Sequence, residues 1–413
     1  MAAGARSRIA YLESIRGLAA LQVLLLHVLA AFVPALVVSL PVATPSADLI
    51  HLSPLSFLYD GNSAVYLFFA LSGYVLTGSF ARSRPGPVQI IARVVRLGLP
   101  ALAAVLVAAA IMLIFGSPNE AAGELSGSTW FAHHRDVEIS LASAIRDGTI
   151  NAVFLGYSGM PGPAFLKPWQ QAIDQSFVVP LWTLSIEFYG SMIVLALCWC
   201  ARRSRALWWA AVILGALFTA RSAYVCFFVG HLLARFSCAE RPVPRSRLLP
   251  GLAVVAGIAV CVIAGIWQPD WLKAICASPT RLLFPGQFAP MQQKTFGAML
   301  VLAGVMHLED ARRLLSTPWL VARAKLSFPL YLVHWPILFG PVAALFVQLA
   351  DHIGVEPARL CAIVSGIGLS LAASVVFLPI DRLALELSRA LRRRRTAGLN
   401  LSPIASSAAP AAE

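Results

Sequence analysis

A chain that repeatedly strings about 20 apolar residues together has few ways to fold, because each such run, once helical, spans the roughly 30 Å hydrocarbon core of a bilayer. Runs of this kind, bounded by charges or by Pro and Gly clusters, lie near residues 15–36, 62–80, 94–115, 178–200, 207–220, 223–234, 248–267, 295–307, 326–349 and 361–380. They predict an all-α polytopic transmembrane bundle of about ten spans, several of them short. Composition agrees, since 59% hydrophobic and 12% charged residues carry more apolar surface than one soluble core hides. Residues 1–395 read as one integral membrane domain, with 116–177 as an external segment between the third and fourth spans. Residues 396–413, rich in Ala, Ser and Pro, read as a disordered tail.

A formal charge of +13 on a soluble protein would point to nucleic acid or an anionic surface. Here the basic residues punctuate apolar runs, and topology accounts for them. With the N-terminus in the cytoplasm, 23 of the 32 Lys and Arg fall in inside segments, among them Arg6, Arg8, Arg82, Arg84, Arg93, Arg96, Arg241, Arg245 and Arg392 to Arg395. Eight fall outside, including Arg135, Arg146, Lys167, Arg221, Lys273 and Arg281, and Arg16 opens the first span. Both termini are therefore expected in the cytoplasm, the partner is the lipid bilayer, and nucleic acid is set aside. The first apolar stretch runs over residues 17–40 and encloses His27, which is too long for the core of a secretory signal. The seven cysteines, Cys198, Cys200, Cys226, Cys238, Cys261, Cys276 and Cys361, show no CxxC spacing and read as small hydrophobes. His133 and His134, followed by Arg135 and Asp136, are adjacent in a polar loop and lack helical i, i+4 spacing, so no metal is expected. No internal repeat is visible, which weighs against a transporter built from repeated halves.

Ionisable side chains at membrane depth are costly, so each is a candidate for function. Arg16 and His27 stand eleven residues apart. That spacing returns them within about 20° of one helix face, separated by about 16 Å. Arg93 and Arg96 lie one helical turn apart, and two guanidinium forks suit the phosphates of a cofactor, although arginines that only set topology have the same spacing. Ser72 and Gly73 sit about ten residues into the second span, where a small pair lets a ligand or a neighbouring helix approach. Glu187 lies about 13 Å into the span that opens at Pro180 and carries Trp182 and Ser185. A lone carboxylate there needs a partner and is suited to orienting an imidazole. His334 reaches a similar depth in the ninth span, between Tyr331 and Pro336. His27, Ser72, Glu187 and His334 are thus expected at one level, in a polar midplane chamber that an enzyme or a transporter or flippase for a glycan-like solute would use.

These residues resemble acyltransferase family 3 of membrane proteins, which O-acylate bacterial surface glycans and modify some antibiotics. The resemblance rests on Tyr11 to Gly17 leading to His27, Phe68 to Gly73, Arg93 with Arg96, Trp182 to Glu187, and Tyr331 to Pro336. Each motif alone is weak, but five in family order are specific. Glu13 stands where Asp is usual, and Asp381 takes the place of a family Glu. The resemblance implies a bacterial inner-membrane enzyme that transfers an acyl group, normally acetyl, from cytoplasmic acetyl-coenzyme A to a hydroxyl of a carbohydrate or polysaccharide acceptor. His27, Arg16 and Glu187 would be catalytic, with His27 as general base on the acceptor or as a transient acyl carrier. Arg16, Arg93 and Arg96 would bind the donor. Ser72, Gly73, Trp182, Ser185, Tyr331 and His334 would line the substrate chamber.

Overall fold

The computed structural model describes residues 10–37, 53–82, 86–134, 137–236, 247–264 and 289–399, with residues 50, 270 and 271. Arg6, Arg8, Arg84, Arg135, Asp136, Arg241, Arg245, Lys273, Arg281, Cys238, Cys276 and segment 400–413 of the expected tail lie outside the described residues.

Three long helices come first, Ala10–Phe32 (α1), Gly61–Ala81 (α2) and Pro87–Phe115 (α3). A mixed segment follows, with Asn119–Ser126 (α4), Thr129–Ala132 (α5), Leu141–Arg146 (α6) and a wide helical turn over Asp147–Leu155. It ends in two-residue strands, Tyr157–Ser158 (β1) and Gln171–Ala172 (β2), paired in parallel with Tyr157 opposite Gln171. Helices then run as Trp182–Arg203 (α7), Arg205–Thr219 (α8), Val225–Phe236 (α9), Leu248–Ile263 (α10), Ala289–His307 (α11), Glu309–Leu315 (α12), Pro318–Ala324 (α13), Ser327–Ile337 (α14), Ala343–Ile353 (α15) and Val355–Leu399 (α16). The last helix carries on four residues past 395.

Among the described residues, six helices are long and apolar enough to cross a membrane: α1, α2, α3, Val179–Arg203, Ser327–Ile353 and Val355–Arg393. The expected spans at 207–220, 223–234 and 248–267 correspond to α8, α9 and α10, which run 15, 12 and 16 residues. At 1.5 Å per residue these fall short of a 30 Å core. The expectation at 295–307 falls in α11, 19 residues long, which carries Lys294.

Local chemistry explains how the long helices start and bend. Asp60 caps α2, accepting from the Ser63 amide at 3.2 Å, and Lys294 of α11 reaches the same carboxylate at 2.7 Å. Pro87 opens α3, where a missing N–H costs nothing. The span Ser327–Ile353 is broken into α14, a wide turn over Leu338–Val342 and α15. Pro336 and Pro341 cannot donate there, so the regular i to i−4 ladder gives way. Helices α2 and α9 cross at closest approach through glycines. A Cβ on Gly73 would lie 2.6 Å from the Phe227 carbonyl, and one on Gly230 would lie 2.0 Å from that of Ala70.

The core runs through α1, α2, α7 and α14, while exposed Leu113, Ile114, Val364 and Val376 give α3 and α16 apolar outer faces suited to lipid. The five described cysteines are free thiols, three of them buried.

Candidate active site

Segment 116–177 is fastened over the end of α1. The Ser128 hydroxyl donates to the Ala30 carbonyl at 2.7 Å while accepting from the Phe131 amide at 3.2 Å. That double bond sets Trp130 face to face with His27, with ring centroids 5.7 Å apart and planes within 7°. His334 stands at the edge of the His27 ring, its centroid at 5.0 Å, and Trp335 meets the imidazole edge-on at 5.4 Å.

The two histidines are joined through His27 Nδ1 and His334 Nε2 at 2.9 Å, and His334 Nδ1 lies 2.9 Å from the Leu330 carbonyl. A carbonyl only accepts, so His334 carries its proton on Nδ1 and its Nε2 is an acceptor. His27 must then donate from Nδ1, which leaves His27 Nε2 with a lone pair and no partner among the described residues. His27 lines a cavity of about 780 Å³ beneath segment 116–177. Three tryptophans, Trp130, Trp182 and Trp335, form much of its wall; its polar groups include Asn62, Tyr66, Lys167 and Gln170.

A second, narrower cavity of about 80 Å³ lies against it, and Val65 and Tyr331 line both. Its lining includes Arg16, Arg93, Arg96, Ser72 and Glu187. Arg93 is paired with Glu187, and its Nε donates to Ser191 Oγ at 2.7 Å. Arg96 is paired with Asp381 and stacks over Phe328 at 4.9 Å. Arg16 has a looser engagement, with Glu13 at 3.9 Å. A guanidinium has five N–H donors, so the paired arginines keep donors to spare while their carboxylates hold them in place. Three such forks around a narrow cavity can donate to the oxygens of a phosphate group.

The expected single chamber is thus two. His27 and Trp182 line the larger cavity, whereas His334 is fully buried, lines neither cavity and reaches the site only through His27; Ser72 and Glu187 belong to the arginine cavity, and Tyr331 stands where the two meet. Glu187 orients Arg93 and not an imidazole, because it follows Trp182 by five residues, a rotation that turns it to another side of α7 and one and a half turns deeper. Gly73 faces the α9 backbone, where only a hydrogen fits, and so serves the helix crossing instead of the chamber. Ser185 lines neither cavity. It is fully buried, donates to the Trp182 carbonyl at 3.2 Å, and lies under Gly156.

Trp130, Lys167 and Gln170 were not expected at the site, since loop residues show no periodicity to place them. Asp381 is an ionisable residue at the end of an apolar run, a signal that could have marked it as a partner for Arg96. Among the described residues, no three His, Cys, Asp or Glu side chains converge as a metal site would require.

No curated protein and no solved structure matches the chain. The family model for an acyltransferase domain, Acyl_transf_3, matches residues 9–378, taking in both cavities and every side chain named here except Asp381. By that match the chain belongs to the Acyl_transf_3 family and is a membrane acyltransferase.

Proposed function

We propose that this acyltransferase moves an acyl group, acetyl above all, from cytoplasmic acyl-coenzyme A to a hydroxyl of a carbohydrate acceptor at the opposite face of a bacterial inner membrane. One observation carries the reading: a histidine whose Nε2 keeps its lone pair lines a roomy cavity, next to an arginine-lined cavity that shares its wall. The excess of basic residues in the inside segments supports the arginine cavity as the cytoplasmic one.

In this reading Arg16, Arg93 and Arg96 hold the donor phosphates, and the thioester extends toward Tyr331. The acceptor hydroxyl lies in the tryptophan-lined cavity. His27 Nε2 takes its proton as the hydroxyl oxygen attacks the thioester carbonyl carbon. The new C–O bond forms, the C–S bond breaks, and the departing thiolate recovers the proton from His27. Ester and free coenzyme A result, and His27 ends neutral. While His27 is protonated, its Nδ1–H stays on His334 Nε2, so the ring does not turn. The Trp130 face adds a π surface over the imidazolium.

The test is coenzyme A release from acetyl-coenzyme A by purified protein in nanodiscs, with cell-envelope glycan as acceptor. A general base contributes on the order of 10²- to 10⁴-fold, so His27→Ala should lose turnover on that scale. A variant that keeps the wild-type rate would overturn the mechanism. Acid quench of a single turnover distinguishes the two roles open to His27, because an acyl-histidine intermediate would carry label on the protein and direct transfer would not.

A further inference from the structure

Beside the His27 cavity, a second depression of about 820 Å³ opens in segment 116–177. Gln170 lines both, so the two are contiguous at that side chain. The Gln170 amide donates to the Leu155 carbonyl at 2.7 Å, which holds it in place and leaves its oxygen free to accept.

The cleft differs in chemistry from the tryptophan-lined cavity. Glu138 and Arg146 both line it, and neither side chain has an ionic partner among the described residues. Trp169, at its rim, is 61% exposed. A carboxylate that accepts, a guanidinium that donates, an amide oxygen on the same lining and a largely exposed indole form a set suited to a polyhydroxylated ring. Sugar hydroxyls satisfy both charges, and the C–H face of the ring covers the indole. A peptide is served less well, because the described strands are two residues long, too short for a chain to add to as a further strand.

We propose that this cleft is a second acceptor subsite, holding the sugar units next to the one acylated at His27. The enzyme would then be selective for oligosaccharides or polymers over single sugars. The inference rests on the carbohydrate reading of the acceptor given above.

The experiment uses nanodisc-embedded protein, acetyl-coenzyme A, and a size-fractionated hydrolysate of cell-envelope polysaccharide, from one to six sugars. Wild type is compared with Trp169→Ala and with the double variant Glu138→Gln with Arg146→Gln. Retention of each fraction on immobilised nanodiscs without donor gives a second readout, and thermal unfolding checks the fold. For wild type the acceptor KM should fall at least about tenfold between one and four sugars. In the variants the ratio of the two KM values should collapse toward one, and retention of the longer fractions should be lost. Acylation of single sugars and long ones with equal KM, or variants that keep the length preference, would overturn the subsite while leaving the carbohydrate reading intact. If wild type acylates and retains no saccharide of any length, both fall. Retention of peptides from a parallel envelope digest in place of saccharides would overturn the assignment of the cleft to sugar.

Discussion

In the proposed mechanism a single proton position decides what His27 can do, and His334 decides the proton position. The Leu330 carbonyl fixes His334, and His334 fixes His27, a two-step relay of orientation through hydrogen bonds of 2.9 Å each. Replacing His334 by Phe keeps a ring beside His27 but removes the acceptor, so the His27 proton is free to move to Nε2. Turnover should then drop at least about tenfold, a part of what a general base supplies, with the donor KM unchanged. Gln at the same position offers an amide oxygen and should recover part of the loss, which steady-state kinetics would register. The arginines divide in a similarly readable way. Arg93 shares a largely buried ion pair with Glu187, so Arg93→Ala leaves a carboxylate without its partner and should cost about 1–3 kcal/mol of stability. Adding Glu187→Gln should return most of it, as thermal unfolding of the double variant would show. Arg16 is only loosely paired, so Arg16→Ala should leave the melting temperature nearly unchanged and raise the donor KM about tenfold or more, the worth of a charged hydrogen bond.

At the scale of elements, the segment between α3 and α7 bears the most on the site and was the least legible in the sequence. The long apolar runs reveal helices and depth, and the resemblance picks out His27 and His334. Depth, however, is not rotation. Distance along a helix puts Glu187 and Gly73 at depth and the resemblance puts Ser185 in the chamber, but the facing of each helix turns them to Arg93, to the α9 backbone and to Gly156. The loop residues Trp130, Lys167 and Gln170 reach the cavity because of contacts distant in sequence, such as Ser128 on Ala30 and β1 beside β2. The fastening of this segment can be tested. Asp147 is buried within it and accepts from Tyr157 at 2.7 Å and from the Phe177 amide at 3.0 Å; burial pushes its carboxyl up, and these hydrogen bonds pull it back. Asp147→Ala leaves both donors unpaired, so a loss of about 2–4 kcal/mol is expected in thermal unfolding. His134 gives the segment a pH response. Burial, acting against a Ser176 backbone contact and Asp174, lowers it from 6.5 to about 4. The unfolded chain therefore takes up the proton first as pH falls. Stability should decline between pH 6.5 and 4, by at most about 3 kcal/mol for this group. His134→Phe, which keeps a ring against Trp335 and Phe339, should melt with a shallower dependence on pH across that window.

For the whole molecule, the arrangement of two cavities end to end poses a problem of water. In the proposed reaction a thioester that meets an acceptor from the other side of a membrane must not meet solvent from that side first, and the residues in the wall that the two cavity linings share, Val65 and Tyr331, are placed to limit it. Tyr331 is the larger of the two side chains in that wall, and its hydroxyl is held by the Pro180 carbonyl at 2.9 Å and by Thr183 at 2.8 Å, so the ring is fixed on α14 against the start of α7. Phe68 packs edge-on against it at 5.9 Å. Truncating Tyr331 to Ala removes the ring and joins the narrow arginine cavity to the wide one. The expected result is an enzyme that hydrolyses acyl-coenzyme A without acceptor several-fold faster than wild type and transfers to glycan more slowly. Tyr331→Phe, which keeps the ring and loses only the hydroxyl, should transfer nearly as wild type with little hydrolysis. Coenzyme A release measured with and without glycan separates the two reactions. If the Ala variant lost transfer and hydrolysis together while remaining folded, Tyr331 would be positioning the donor itself, and the barrier to water would have to lie elsewhere in the wall.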